Sequence, residues 1–222
     1  MGKWTNAGSW PICAFHLSLI KNGRVLSYGT GIDVPANDNH RGSGFTLDLW
    51  KPGSFSPSSH QTLPTSIDTN IFCSAQSILP NGNVLISGGD RSSRIDKTYK
   101  LDGVNATTLY DVDTTAITEE AKMHVARWYP TLVPMPDGRQ LVLGGKDHNV
   151  KENGKVVDKV IPAFPEIYSP ETGKWTKLTG ATNADFFKRN WFYPRAFLND
   201  NGKVVVIDRI NSNGEDLSLI HI

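Results

Sequence analysis

Apolar positions in this chain come in short runs bounded by Gly, Pro, Asn and Asp, the pattern of strands and turns. Four stretches share one template: an apolar run, an Asn-Gly or Asp-Gly turn, then a β-branched run that often ends in glycine. They are Leu17 to Gly29 (LSLIKNGRVLSYG), Ser77 to Gly89 (SILPNGNVLISGG), Leu132 to Gly145 (LVPMPDGRQLVLGG) and Ala196 to Asp208 (AFLNDNGKVVVID). Glycine supplies the positive φ that the turn needs, so each stretch predicts a β-hairpin. Further strands are expected between the hairpins, at Phe45 to Pro52, Thr107 to Val112 and Glu166 to Leu178. In the last of these, Tyr168 and Trp175 are expected to pack one outer strand on its neighbour. The one helix-like stretch is Thr118 to Val125 (TEEAKMHV), which is short enough to be a loop. Loops are richest at Pro35 to Ser43, Gly53 to Ser66, Asp147 to Asp158 and Gly180 to Asn190.

The turn glycines Gly23, Gly82, Gly138 and Gly202 recur at intervals of 56 to 64 residues. A period near 50 is the kelch signature, in which each repeat is one four-stranded propeller blade. The fold class is therefore all-β, a partial kelch-type β-propeller. About three complete blades and part of a fourth fit within the chain, fewer than most closed propellers hold. No boundary divides residues 1–216. Residues 217–222 (LSLIHI) read like the in-frame translation of a transposon-adapter end, and are set apart as a scar. On that expectation the natural sequence is readable to about Asp216, and the chain is an N-terminal portion.

Composition agrees with many short strands: Gly (20) and Pro (13) are plentiful and Trp (6) is frequent. A net charge of +1 without runs of like charge favours neither nucleic acid nor an anionic membrane. No stretch reaches the length of a membrane span. The first residues, MGKWTNAGSWP, lack the basic and apolar segments of a signal peptide. Two cysteines, Cys13 and Cys73, make no disulfide framework.

The chemistry gathers at the heads of two hairpins. Cys73 precedes the second (CSAQSILPNG) and Tyr129 precedes the third (WYPTLVPMPDG). The stretches GKW (Gly2 to Trp4), SWP (Ser9 to Pro11), TNIFCSAQSILPNGNVLISGGD and MHVARWYPTLVPMPDGRQLVLGG resemble the galactose oxidase/glyoxal oxidase family of copper-radical oxidases, most closely its glyoxal-oxidase-like members. That resemblance implies a seven-bladed parent propeller and one copper ion. It implies a thioether joining Cys73 to Tyr129, with Tyr129 ligating copper and carrying the protein radical. A thiolate is an oxidisable sulfur, and a bound cation favours the deprotonated phenol, so the residue types suit that role. Trp128 either covers the cross-link or packs the blade. Cys13 has no such partner and is expected in the core.

The resemblance further implies oxidation of a primary alcohol or small aldehyde, with O2 reduced to hydrogen peroxide, in a secreted protein. A monomer is expected. The family's axial Tyr-His pair and late His have no counterpart here, so they are expected beyond this chain, and the chain alone is expected to be inactive. His16 and His124 are expected as packing or solvent residues, while His148 stands in a loop. A substrate-binding Arg is expected within KRNWFYPR, either Arg189 or Arg195. The loop after Gly145 reads KDHN and lacks the Trp that covers the cross-link in galactose-oxidising members. The rival is a non-catalytic kelch propeller that binds protein or carbohydrate, which needs no register between Cys73 and Tyr129.

Overall fold

The computed structural model describes residues 8–31, 46–64, 67–91, 102–207 and 219–221. The first sheet contains β1 (Ile12–Leu19), β2 (Val25–Gly31), β3 (Thr46–Trp50) and β4 (His60–Pro64), antiparallel and in chain order. The second repeats that order with β5 (Ala75–Ile78), β6 (Val84–Ser87), β7 (Thr107–Tyr110) and β8 (Ile117–Glu119). The third is built from β9 (Trp128–Pro134) and β10 (Gln140–Lys146). A separate hairpin follows, β11 (His148–Glu152) and β12 (Lys155–Val160), before β13 (Glu166–Ser169) and β14 (Lys174–Lys177) complete the third sheet. After a single helical turn and a half, α1 (Ala184–Arg189), come β15 (Arg195–Leu198), β16 (Val204–Ile207) and β17 (Leu219–His221). These are three blades and the start of a fourth, a partial β-propeller.

All four expected hairpins form: β1–β2, β5–β6, β9–β10 and β15–β16. Their turn glycines have φ of 77°, 89°, 86° and 79° at Gly23, Gly82, Gly138 and Gly202. An L-residue at such an angle is strained, which is why the template holds glycine there. The expected outer strands form as β3, β7 and the β13–β14 pair. Tyr168 and Trp175 are register partners with ring centroids 5.2 Å apart. The indole N–H of Trp175 also donates to Thr107 Oγ1 at 2.9 Å, tying the third blade to the second.

Core residues collect between sheets. Leu26, Tyr28, Leu47 and Leu49 of the first blade meet Ile71, Val84, Ile86 and Tyr110 of the second. Leu85 of the second meets Val142, Tyr168 and Trp175 of the third. Val133, Leu141 and Leu143 of the third meet Phe186, Phe187, Val204 and Val206. Each apolar face is buried against its neighbour, as in other repeat architectures.

Several expectations need correction or bounding. The stretch Asp147 to Asp158, read as loop, carries β11 and the first part of β12, paired as a hairpin. Thr118 and Glu119 lie in β8, held there by pairing with β7, and the α-helix among the described residues is α1. That helix lies inside a stretch read as loop. Asn183 caps it by accepting a hydrogen bond from the Phe186 N–H, and Phe186 and Phe187 anchor it in the core. Cys13 is exposed, because side chains alternate along β1 and its neighbour Ile12 takes the buried side. Gly2 to Trp4, Pro35 to Ser43 and Asp208 lie outside the described residues. Within residues 217–222, Leu219–His221 pair with β16 as β17. Among the described residues, no helix is long and apolar enough to cross a membrane.

Candidate active site

The first strands of successive blades pack side by side, β5 against β9 and β9 against β15. They are therefore the strands nearest the propeller axis. Just ahead of β5 and β15 stand Cys73 and Tyr193, and Tyr129 is the second residue of β9. Each of the three is nine residues before its turn glycine. Each has a positive φ: 61° at Cys73, 65° at Tyr129 and 42° at Tyr193. For a residue with a Cβ this conformation costs roughly 1–2 kcal/mol, and such strain clusters at functional sites.

Backbone hydrogen bonds link the three. Tyr129 N–H donates to Cys73 O at 2.9 Å, and Tyr193 N–H donates to Tyr129 O at 2.9 Å. The preceding residues hold this arrangement. Phe72 N–H donates to the Asn70 side chain at 3.0 Å, and Gly89 N–H donates to Arg127 O at 3.1 Å. Gly145 N–H donates to Trp191 O at 2.7 Å. The Gly-Gly pairs at the ends of β6 and β10 thus receive the segments that start the third and fourth blades.

Arg127 is fully buried beneath Tyr129 in sequence. Its guanidinium donates to Gly144 O at 2.6 Å, to Phe164 O at 2.8 Å and to Glu166 Oε1 at 3.3 Å. Burial draws its pKa down to about 10 against the opposing pull of Glu166. Glu166 also accepts from the His124 backbone N–H at 2.8 Å and contacts His124 Nδ1 at 2.6 Å. His124, read as a packing or solvent residue, is partly exposed and tied to this buried carboxylate. This network fixes the backbone that carries Trp128 and Tyr129.

Cys73, Phe72, Trp128 and Tyr129 form one cluster. The Trp128 and Tyr129 ring centroids are 4.1 Å apart, and the Lys146 ammonium lies 4.2 Å over the Trp128 ring. Burial lowers the pKa of Lys146 to about 8. Lys146 is the first residue of the loop KDHN, so a cation stands on Trp128 where that loop begins.

A pocket of about 420 Å³ opens over the cluster, lined by Phe15, His16, Phe72, Cys73, Tyr129 and Tyr193. Burial lowers the pKa of His16 to about 4, leaving a neutral imidazole stacked on Tyr28 at 4.6 Å between centroids. Burial pushes the Tyr28 and Tyr193 phenols up, with the thiol of Cys73 adding to both. Tyr193 stands with Cys73 in the lining of this pocket.

The structure thus brings together Cys73, Tyr129 and Trp128 from the sequence reading. Arg189, at the end of α1, and Arg195, in β15, are exposed and do not line this pocket. His148 begins β11, with its ring 3.4 Å from Asp147. Sequence reasoning missed Tyr193; His16, read as a packing or solvent residue, does pack on Tyr28 and lines the pocket as well. The spacing of nine residues to the turn glycine singles out Tyr193, while His16 shows no signal of its own.

Copper accepts oxygen, nitrogen and sulfur donors, and phenol, thiol and neutral imidazole all face this pocket. Among the described residues no three His, Cys, Asp or Glu side chains gather. The donor types fit copper, and the set they make is partial.

A partial propeller with oxidisable side chains at its hub is the class that fold and site define. The family described as Glyoxal oxidase N-terminus matches residues 51–213, and the chain belongs to it. This family is that of the galactose-oxidase- and glyoxal-oxidase-like copper-radical oxidases. The chain is similar to a galactose oxidase of Gibberella zeae, 29% identical over 185 residues, covering 82% of this chain and 23% of the relative. It is also similar to the aldehyde oxidase GLOX of Vitis pseudoreticulata, 24% identical over 143 residues, covering 64% and 24%. A solved structure described as a novel fungal alcohol oxidase with catalytic diversity, in complex with copper, matches with a TM-score of 0.54 and 14% identity. That match covers 89% of this chain and 50% of the other and shows the shared fold. The chain spans about a quarter of the length of the curated relatives it matches.

Proposed function

We propose that this chain is the part of a copper-radical oxidase that supplies the radical-bearing residue. The observation that carries the proposal is the placement of Cys73 and Tyr129 on one pocket, tied by a backbone hydrogen bond on adjacent blades. Tyr129 would hold copper through its phenol oxygen, with further donors supplied from beyond the described residues. When bound, copper supplies one-electron redox chemistry.

The chain's own residues do the rest. Joining Cys73 Sγ to a ring carbon of Tyr129 breaks one S–H and one C–H bond and releases two protons and two electrons. Dioxygen takes both pairs and leaves as hydrogen peroxide. The sulfur then donates into the ring and makes it easier to oxidise. Turning a primary alcohol into an aldehyde removes two electrons and two protons, so a one-electron acceptor besides the metal is needed. Once it has lost one electron, with dioxygen as the oxidant, the Tyr129 ring would be that acceptor. Trp128, its ring tilted against that of Tyr129 with centroids 4.1 Å apart, would exclude water from it. Arg189 and Arg195, which the family resemblance offers for holding substrate, are exposed outside the pocket lining and would contact only a substrate that extends beyond it. Small aldehydes are the alternative substrate, the four-stranded repeats are of kelch type, and the full-length protein is expected to be secreted.

The test is the mass of the Cys73 and Tyr129 peptides in copper-free full-length protein, before and after adding copper and air. The two peptides should become joined, with loss of two hydrogen masses. Peptides that stay separate with full thiol content would favour a non-catalytic propeller that binds protein or carbohydrate.

A further inference from the structure

We propose that Lys146 is a positioning residue for the oxidised state: its ammonium, held over the Trp128 ring, keeps the electron deficit on Tyr129 and off that indole. The inference rests on the redox reading of Tyr129 and adds to it a residue that acts through its neighbour. Lys146 and Trp128 are register partners across β9 and β10, so their side chains share one face of the sheet. The ammonium stands 4.2 Å from the centre of the indole, and Nζ donates to Asn149 Oδ1 at 2.9 Å. Lys146 is 1% exposed and Trp128 6%, so water and salt screen this charge little. The indole N–H of Trp128 is buried and makes no hydrogen bond among the described residues. The φ of 65° at Tyr129 breaks the alternation of the strand and brings its ring against Trp128, with centroids 4.1 Å apart. A second indole beside Tyr129 repeats the arrangement: Trp191, 6.1 Å away, has the Lys159 ammonium 4.9 Å over its ring.

The chemistry follows from where charge would develop. Of the rings that meet Tyr129, the indoles can give up an electron without first giving up a proton. If Trp128 gave one to an oxidised Tyr129, the phenolate would be restored and Trp128 left as a positively charged indole. With no acceptor at its N–H, that indole cannot shed the charge as a proton. An ammonium attracts the neutral ring and repels the charged one. Lys146 thus favours the starting side of the transfer. Burial draws its pKa only to about 8, so the ammonium prevails at neutral pH. Lys159 is exposed, so its charge on Trp191 is the more screened of the two.

The experiment compares full-length wild type with Lys146→Met and Lys146→Arg, each copper-free and treated with hexachloroiridate, which takes one electron at a time. Oxidation of Trp128 is followed by peptide mass against time, with the buried Trp175 of the same sample as reference. Lys146→Met should oxidise Trp128 roughly 10- to 100-fold faster, and Lys146→Arg should stay near wild type. The oxidant is an anion, so loss of a cation would by attraction alone slow the reaction, and a faster one reports the field at the ring. Lys146→Gln, which keeps a polar tip for Asn149, is the neutral variant if Lys146→Met does not fold. Equal Trp128 rates in wild type and the neutral variant would overturn the role of Lys146. Exposing wild type to copper and air separates that failure from failure of the redox reading, since joined Cys73 and Tyr129 peptides would leave the pair intact. No joined peptide would overturn the pair itself, and the rates with hexachloroiridate would still decide whether Lys146 guards Trp128.

Discussion

Gly144 of β10 lies directly against the ring of Pro194, the residue after Tyr193. A Cβ built on Gly144 would stand 2.3 Å from Pro194 Cγ and 3.2 Å from Trp191 O, and the backbone there has φ +68°. Gly88 repeats the relationship one blade earlier, where an added Cβ would meet Arg127 O at 2.3 Å and Pro130 Cγ at 3.2 Å. Gly144→Ala therefore combines a strained φ with a clash against a rigid ring and a carbonyl. It should lower stability by more than about 2 kcal/mol. Gly173→Ala is the control, since its φ is +64° with nothing within 4 Å of the added carbon. The control should cost about 1 kcal/mol. Denaturant midpoints of the two variants make the comparison, and equal losses would mean that the blade junction yields.

Arg127 and Glu166 are both fully buried and paired. Removing one partner leaves an uncompensated charge in the core. Glu166→Leu should therefore cost about 3–5 kcal/mol, and the double variant Arg127→Met/Glu166→Leu should cost less than the sum of the singles. Additive losses in equilibrium unfolding would argue against direct coupling of the pair.

Trp175 combines ring packing with a bond to the neighbouring blade. Trp175→Ala should cost about 3–5 kcal/mol. Trp175→Phe should cost nearer 1 kcal/mol, the value of the lost bond to Thr107 together with some contact area. A Phe variant as unstable as the Ala variant would assign the whole effect to the hydrogen bond.

His16 makes the copper-free protein acid-sensitive. Its pKa falls from 6.5 in an unstructured chain to about 4 here, so between those values the unfolded chain binds the proton and the folded one does not. The stability tied to the neutral ring is fully present above pH 6.5 and is lost as pH falls toward 4. At most this amounts to about 3 kcal/mol, and solvent around a half-buried ring lowers it. In His16→Gln the denaturant midpoint should fall less steeply than wild type across that window. Parallel profiles would assign the acid sensitivity elsewhere.

The hairpins were legible because their information is local. A turn glycine with apolar runs on both sides reports itself within a dozen residues, and all four such readings became strand pairs. Tyr168 and Trp175 were legible for the same reason, being partners across one short turn. The helix Ala184–Arg189 was not, because its one strong signal is Asn183 and the rest of its stability comes from Phe186 and Phe187 meeting another blade. Cys13 was misjudged because a cysteine in an apolar run carries no mark of which strand face it takes. The site divides in the same way. Cys73 and Tyr129 stood out through their motifs. Tyr193 and His16 come to the pocket from the fourth and first blades, and only the closeness of the inner strands shows that they share it.

The positive-φ positions ahead of the second, third and fourth hairpin turns behave like a row of matching sockets. Tyr129 relates to Cys73 as Tyr193 relates to Tyr129, through the same backbone hydrogen bond, the same offset and the same handed bend. The backbone frame thus repeats from the second blade to the fourth whichever side chain it carries, so what distinguishes one blade from the next at this hub is the residue seated on the frame and not the loop that presents it.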